Sequence, residues 1–147
     1  MKIVILCGGK GTRLQGEGEY KPKPMMEIGQ RPMLWHIMQT YAHFGYSDFV
    51  LALGFKASVI KEYFLNHRYV HNDLTVHLAK GDVTVHPKDR QYDWSVTMVD
   101  TGENTLKGGR IARVKEYLDG ERFMVTYGDG VANLDIDKLL EFHEETG

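Results

Sequence analysis

The sequence predicts an α/β fold with a mostly parallel central sheet, and two kinds of pattern support this prediction. Mainly apolar five-residue runs occur at 3–7, 49–53 and 123–127. Such runs are typical of strands that are buried on both faces, as in a parallel sheet. Stretches with the apolar spacing of a helix lie between them. This alternation of strand and helix favours right-handed crossover connections.

The first half of the chain supplies two strands and two helices. The run at 3–7 predicts the first strand, and a glycine-rich loop follows it. A helix should then begin with Pro32 in its first turn and end just before Gly45. Its apolar face is formed by Met33, Leu34, Ile37, Met38, Tyr41 and Phe44. The run at 49–53 predicts the second strand, after which Ser58 is expected to cap a second helix.

The second half begins with shorter, partly alternating segments that predict strands. They lie at 74–78, 83–85 and 96–99. A short helical pattern at 113–118 precedes the buried-strand pattern at 123–127. Asp135 should cap a last helix whose inward residues are Leu139, Leu140 and Phe142.

Composition excludes several classes of function. A chain of 147 residues suits one domain with its own core. The net charge of −2 provides no basic field for nucleic acid or anionic membranes. A single cysteine, Cys7, excludes an intrachain disulfide and a thiolate zinc site. The N-terminal apolar run is too short for a signal peptide or a membrane span. We therefore expect a soluble, cytoplasmic protein.

The glycine-rich loop after the first strand is a candidate phosphate site. Its sequence is Gly8-Gly9-Lys10-Gly11-Thr12-Arg13-Leu14. Glycines let backbone N–H groups approach a phosphate closely, and the arginine adds a charged fork that suits phosphate oxygens. The loop is not a dinucleotide fingerprint, because Leu14 occupies the position of the third glycine. It is not a P-loop either, because Lys10 precedes Gly11-Thr12.

Two further segments are candidates for the same site. Lys21-Pro22-Lys23-Pro24 places two lysines on a stiff backbone just downstream of the loop, and one of them is expected to function there. Gly128-Asp129-Gly130 follows the strand predicted at 123–127. Mg²⁺ prefers oxygen ligands and commonly uses one or two carboxylates together with substrate phosphates, which makes Asp129 a candidate metal ligand.

These residues resemble the signature of the sugar-phosphate nucleotidyltransferases, in which G-G-x-G-T-R-L is followed by K-P. The resemblance is closest to the glucose-1-phosphate cytidylyltransferases and extends along the chain in the same order. The similar segments are 21–25, 34–38, 59–64, 99–102, 108–110 and 126–131.

The resemblance implies a three-layer, Rossmann-like nucleotidyltransferase fold and one nucleotide-binding domain over residues 1–147. It implies transfer of a cytidylyl group from CTP to glucose 1-phosphate with Mg²⁺, a reaction that supplies deoxysugars for bacterial surface polysaccharides such as the lipopolysaccharide O-antigen. Arg13 and Lys23 would be catalytic, and Asp129 would hold the metal. The nucleotide-binding positions would be Leu6, Cys7, Gly8, Gly9, Lys10, Gly11, Thr12, Arg13, Lys23, Thr105, Arg110 and Gly128. Among them Arg110 is expected to donate to the cytosine carbonyl.

Members of this family continue well beyond a position corresponding to Gly147. The additional part supplies the sugar pocket, a second metal-binding aspartate and the contacts of a homo-oligomer, so the chain is expected to be an incomplete, N-terminal portion. Two alternatives stay open at this point. One is the same chemistry with another base or sugar, as in a thymidylyl- or guanylyltransferase, and the other is a nucleotide-binding module without catalysis.

Overall fold

The computed structural model describes residues 1–10, 21–88, 92–120 and 122–147. In chain order its strands are β1 (Ile3–Cys7), β2 (Glu27–Ile28), β3 (Arg31–Pro32), β4 (Asp48–Leu53), β5 (Asp73–His77), β6 (Asp82–His86), β7 (Ser95–Asp100) and β8 (Met124–Tyr127). Its α-helices are α1 (Met33–His43), α2 (Ala57–Val70), α3 (Lys107–Arg113) and α4 (Ile136–Thr146). Short 3₁₀ helices lie at Lys23–Met25 and Lys115–Tyr117.

Four strands form a parallel central sheet in the order β7–β4–β1–β8. In the register, Val4 of β1 lies opposite Val50 of β4 on one side and Val125 of β8 on the other. The chain first adds strands on one side of β1 and then crosses to the other side with β8. This reversal creates a crevice at the carboxyl ends of β1 and β8, the position at which open α/β sheets bind ligands.

Helices cover both faces of the sheet, so the predicted three-layer arrangement is confirmed. On one face Ile3, Ile5 and Leu51 pack in a core with α1, α2 and α4. On the other face Val4 and Val50 pack with a second buried cluster that contains Val114 and Leu118, which follow α3. Because side chains alternate along each strand, successive residues of the apolar runs serve the two cores.

The predictions for β1 and β4 are confirmed, and α1 forms where predicted, except that Pro32 is its extended N-cap residue and not part of its first turn. Ser58 does not cap α2. Helix α1 ends before Gly45, whose φ of +86° is a conformation that glycine adopts at little cost. Helix α2 instead begins at Ala57, with Lys56 in the left-handed region at φ 50° as its N-cap residue. Ser58 therefore lies inside the first turn, where its hydroxyl is not the cap.

The helical pattern at 113–118 is displaced relative to the structure. The α-helix lies earlier, at Lys107–Arg113, and only a 3₁₀ turn follows it at Lys115–Tyr117. Gly108 and Gly109 are weak helix formers, so the sequence gives little signal for α3. Contacts of Arg110 with the ends of the central strands, described below, stabilise the helix instead.

The strand at the end of the chain and its helix are more exposed than predicted. In β8 Val125 and Tyr127 are exposed, because β8 is an edge strand of the described sheet. In α4 Leu139 and Phe142 are exposed, so their predicted inward positions are wrong. Leu140 is partly buried against the core, as predicted, and Ile136 is fully buried in it. The predicted cap is confirmed, since the Asp135 carboxylate accepts a hydrogen bond from the Lys138 backbone N–H at 3.1 Å.

The remaining strand predictions divide between two sheets. Strands β5 and β6 form a separate antiparallel hairpin with Thr75 opposite Thr84, and nearly all of its residues are exposed. Strand β7 joins the central sheet beside β4. Among the described residues, no helix combines the length and apolar character needed to cross a membrane.

Candidate active site

A cleft of about 570 Å³ opens at the carboxyl ends of the central strands. Its walls come from the end of β1, the 3₁₀ turn at Lys23–Met25, the segment that joins β7 to α3, and the end of β8. The lining residues are Leu6, Cys7, Gly8, Gly9, Lys23, Pro24, Thr105, Leu106, Lys107, Arg110, Tyr127 and Asp129. The cleft therefore lies where the strand order reverses, as expected for a ligand site of this fold.

The cleft gathers most of the residues predicted for the site. Eight of the predicted positions line it: Leu6, Cys7, Gly8, Gly9, Lys23, Thr105, Arg110 and Asp129. Lys10 lies nearby, with its ammonium 2.9 Å from Glu103 Oε1. The predicted roles of Gly11, Thr12 and Arg13 fall outside the described residues.

Gly128 lies behind the cleft, where the ends of β1 and β8 meet. Its N–H donates to the Leu6 carbonyl at 3.0 Å, which extends the pairing of the two strands by one residue. A Cβ at this position would lie 2.8 Å from Cys7 Sγ and 3.1 Å from Pro24 Cγ. Glycine is required here because the turn at Lys23–Met25 packs directly against the strand end.

Lys23 is held beside Asp129 by a rigid turn. Pro22 precedes the 3₁₀ turn in an extended conformation, and Pro24 and Met25 are buried within the turn. The Lys23 ammonium lies 3.5 Å from Asp129 Oδ2. Lys21 points elsewhere, to Glu27 at 3.0 Å. The structure thus distinguishes the two lysines of the Lys-Pro-Lys-Pro segment, since only Lys23 lines the cleft.

The Asp129 carboxylate is compatible with a magnesium ion that substrate phosphates help to coordinate. It is partly exposed to the cleft, with a relative side-chain exposure of 44%. The described part of the chain contains no group of three or more histidine, cysteine, aspartate or glutamate residues suited to a metal ion. A cation here would therefore need phosphate oxygens or water as further ligands, which is common for Mg²⁺.

Arg110 is buried and ties together the ends of three central strands. Its Nη1 donates to the Leu53 carbonyl at 2.9 Å and to Thr101 Oγ1 at 2.7 Å. Its Nη2 donates to the Gly8 carbonyl at 3.0 Å. The carbonyls of Gly102 and Glu103 are further acceptors. Donation from Arg110 to a cytosine carbonyl stays a prediction, because in this structure both terminal nitrogens bond to groups of the protein.

The glycines around Arg110 leave room for its guanidinium group. A Cβ on Gly8 would lie 2.0 Å from Arg110 Cζ, and one on Gly54 would lie 2.4 Å from Nη1. Both glycines follow central strands, at the ends of β1 and β4. The Gly8 position in the glycine-rich segment is therefore needed for the arginine as well as for any close approach of a ligand.

Several residues of this region were missed by the sequence interpretation. Thr101 is fully buried, and its hydroxyl donates to the Leu53 carbonyl at 2.6 Å while it accepts from Arg110. Arg113 donates to Thr105 Oγ1 at 2.7 Å. Lys107 lies over the Tyr127 ring, with 4.9 Å between its ammonium and the ring centroid. Sequence spacing gives no signal for these contacts, since they join residues from different elements.

Cys7 lies at the cleft but is not a nucleophile. It is buried, and this burial raises the pKa of the thiol strongly; the negative charge of Asp129 adds to the shift, and Arg110 opposes it. The thiol is therefore protonated at neutral pH, whereas the thiolate is the reactive form.

We expect Cys7 to resist alkylation while the protein is folded. Iodoacetamide at pH 8 should label the native chain at least ~10-fold more slowly than the chain in 8 M urea, because burial suppresses both access and ionisation. Mass spectrometry of timed samples measures the two rates. Equal rates in the two conditions would contradict the buried, protonated thiol.

Comparison with known proteins places this site in a family. The chain is 52% identical over 148 residues to glucose-1-phosphate cytidylyltransferase of Salmonella typhimurium, in a match that covers 100% of this chain and 57% of the relative. It is 28% identical over 149 residues to mannose-1-phosphate guanyltransferase of Saccharomyces cerevisiae, covering 100% of this chain and 36% of that relative. The chain thus spans little more than half the length of the first relative and about a third of the second.

A solved structure agrees with the fold. The crystal structure of HddC from Yersinia pseudotuberculosis, complexed with GMP-PN, is 27% identical in sequence and superposes with a TM-score of 0.70. The match covers 96% of this chain and 53% of that one. The family model described as "MobA-like NTP transferase domain" matches residues 3–131 of the chain. With most of its length covered by that match, and with the expected cleft at the switch in strand order, the chain belongs to the family of MobA-like NTP transferase domains.

Proposed function

We propose that the chain is the nucleotidyl-transfer domain of a glucose-1-phosphate cytidylyltransferase. In this reaction CTP and glucose 1-phosphate give CDP-glucose and pyrophosphate. The observation that carries the proposal is the 52% identity along the whole chain to a relative of that name. The cleft supports it, because Lys23, Asp129 and the turn after β1 meet there.

The chemistry requires positioning and charge neutralisation more than covalent help. A phosphate oxygen of glucose 1-phosphate attacks the α-phosphorus of CTP, and the bond to pyrophosphate breaks on the opposite side. The electron pair leaves with pyrophosphate. The attacking phosphate is already ionised at neutral pH, so no general base is needed.

Lys23 is the described residue best suited to stabilise the reacting phosphate. Its ammonium is held in the cleft by the proline-flanked turn and by Asp129. A fixed cation beside the α-phosphate neutralises charge that builds in the transition state without reorganisation cost. Arg13 is proposed to neutralise the triphosphate and the departing pyrophosphate.

Mg²⁺ completes the proposal, with Asp129 as the protein ligand and phosphate oxygens as its partners. When bound, the ion supplies charge neutralisation at the triphosphate. In the free protein Lys23 neutralises the Asp129 carboxylate from a distance of 3.5 Å. Asp129 would hold the ion, and the Lys23 ammonium beside it would add a second positive charge for the substrate phosphates.

We expect Asp129→Asn to raise the Mg²⁺ concentration needed for half-maximal turnover by about 10-fold or more, because a neutral amide is a poorer ligand for a hard cation. A magnesium titration of pyrophosphate release measures this. Glu144→Gln is the matched control, since it also removes one carboxylate charge but lies on α4 in an exposed pair with Arg122. An Asp129→Asn titration that overlays the wild-type curve would remove Asp129 from the metal site.

The proposed function is tested with a panel of nucleotides. Each of CTP, UTP, dTTP and GTP is incubated with glucose 1-phosphate and Mg²⁺, pyrophosphate release is followed, and the product is identified by mass spectrometry. CDP-glucose formed in preference to the other products is the expected result. Preference for dTTP or GTP would overturn the assignment of the base. CTP binding by calorimetry without pyrophosphate release would favour a nucleotide-binding module.

A further inference from the structure

Three of the cations in or beside the cleft have partners within the protein. The Lys23 ammonium lies 3.5 Å from Asp129 Oδ2, and the Lys10 ammonium lies 2.9 Å from Glu103 Oε1. The guanidinium of Arg110 donates to carbonyl and hydroxyl oxygens of the chain. These groups meet their own electrostatic or hydrogen-bonding needs before any ligand binds.

Lys107 also lines the cleft, but its surroundings differ. Its ammonium lies over the Tyr127 ring, 4.9 Å from the ring centroid. In the described part of the chain, no carboxylate forms an ion pair with Lys107. The face of an aromatic ring attracts a cation but carries no net charge. The positive charge of Lys107 therefore stays uncompensated at the cleft.

The backbone of Lys107 is fixed by the residue one turn further along α3. Lys107 is the first residue of α3, and the Arg110 N–H donates to the Leu106 carbonyl at 3.0 Å in the first turn. The guanidinium of Arg110 binds the ends of central strands, as described above. This anchors the start of α3 at the cleft, so that only the Lys107 side chain is mobile there.

Lys107 shares the β8 end of the cleft with the groups proposed to bind phosphate and metal. Tyr127 and Asp129 both line the cleft and are two residues apart, so their Cα atoms are at most about 7 Å apart. Lys107 lies over the first of these residues, and Lys23 lies beside the second. A lysine side chain is long and flexible, and its ammonium can change partners without movement of the backbone.

The proposed reaction requires more positive charge than Lys23 supplies. Both substrates carry ionised phosphate groups, and these must come together at one phosphorus atom, where they repel each other. Part of the charge of Lys23 is already balanced by Asp129. A cation that no carboxylate balances attracts phosphate at no cost of breaking an ion pair. Among the described residues that line the cleft, Lys107 fits this requirement.

We propose that Lys107 is a phosphate-binding residue, which the Tyr127 ring holds at the cleft until a substrate phosphate replaces the ring as its partner. This inference rests on the proposed function and adds a binding cation and a positioning residue to it. The phosphate belongs either to the triphosphate of CTP or to glucose 1-phosphate. The shared chemistry is a phosphate oxygen that accepts from the ammonium.

The first test is the steady-state kinetics of Lys107→Met, which removes the charge and keeps an unbranched side chain. KM should rise by about 10-fold or more for the substrate whose phosphate Lys107 binds. A rise for CTP identifies the triphosphate, and a rise for glucose 1-phosphate identifies the sugar phosphate. Lys115→Met is the matched control, since Lys115 follows α3, is exposed and is absent from the cleft lining. Unchanged KM values for both substrates in Lys107→Met would overturn the inference.

Cytidine separates a phosphate contact from a contact with the nucleoside. It has no phosphate, so its inhibition constant against CTP should be the same in the wild type and in Lys107→Met. If cytidine and CTP weakened by the same factor, Lys107 would contact the base or the ribose, and the inference would be wrong.

The role of Tyr127 is tested with two variants and a double-mutant cycle. Tyr127→Phe keeps the ring and should retain the wild-type KM values. Tyr127→Leu removes the ring and should raise the KM that Lys107→Met raises, by about 2–5-fold, with kcat little changed. In the Lys107→Met background Tyr127→Leu should have no further effect. An equal effect in both backgrounds would mean that Tyr127 does not act through Lys107.

Failure of the inference can be distinguished from failure of the proposed function. A wild-type chain that forms CDP-glucose, with unchanged KM values in Lys107→Met, overturns the inference alone. A wild-type chain that forms no CDP-glucose contradicts the proposed function. Calorimetry with CTP and Mg²⁺ then decides the inference, which requires weaker binding in Lys107→Met than in Lys115→Met. Equal affinities in these two variants would overturn it.

Discussion

Replacing Lys23 with alanine should lower turnover with CTP and glucose 1-phosphate by about 10²–10³-fold, the usual effect of removing one fixed group that stabilises transition-state charge. The loss should appear in kcat, because the charge that Lys23 neutralises develops during transfer. CTP binding should weaken less, since other groups of the cleft contact the nucleotide. Steady-state kinetics combined with calorimetry separates the two effects.

Lys21→Ala is the matched control for this prediction. It makes the same change two residues away in the same proline-rich segment, but its ammonium pairs with Glu27 and is absent from the cleft lining. We expect near wild-type turnover in this variant. Equal losses in the two variants would indicate that the segment contributes only a diffuse positive charge. Near-normal turnover in Lys23→Ala would remove Lys23 from the chemistry.

Much of this arrangement can be predicted from local sequence patterns. The runs at 3–7 and 49–53 are apolar without alternation because β1 and β4 are buried on both faces of the sheet. In a parallel sheet the segments that follow β1 and β8 must meet at one edge. For this reason the loop after Cys7 and the Asp129 turn, although far apart in sequence, could be assigned to one site.

The structure is needed where a residue's role depends on partners from other elements. Lys21 and Lys23 are equivalent in sequence, and only the fold shows which of them lies beside Asp129. Helix α3 contains two glycines, so its local propensity is low and tertiary contacts of Arg110 determine its position. The exposure of Val125 has a similar cause, because a buried-strand pattern cannot tell whether a strand lies inside the sheet or at its edge.

Replacing Arg110 with methionine should be the most destabilising single change that we predict, at about 3–5 kcal/mol. The side chain is only 5% exposed, and its two terminal nitrogens donate to five acceptors. Methionine fills part of the volume but removes the Arg110 donor from all five oxygens in a water-poor environment. The Leu53 carbonyl keeps the Thr101 hydroxyl as a donor and the Gly8 carbonyl keeps the Phe55 N–H, so the cost comes mainly from the other three oxygens. Burial lowers the pKa of the Arg110 guanidinium, and Arg113 adds to this shift, yet an arginine is still protonated at neutral pH.

Urea unfolding followed by tryptophan fluorescence measures the free energy of unfolding of each variant. The fluorescent residues Trp35 and Trp94 report on the α1 face of the sheet. Arg110→Lys retains the charge but not the planar fork, so it should lose an intermediate amount of stability. Arg122→Met provides the exposed comparison and should change stability by less than about 1 kcal/mol. If Arg110→Met were as stable as Arg122→Met, the strand ends would hold together without the arginine. In that case the hydrogen bonds of the guanidinium would only offset the free energy lost when the cation is removed from water. Its burial at the cleft would then be explained by a role in ligand binding and not by stability.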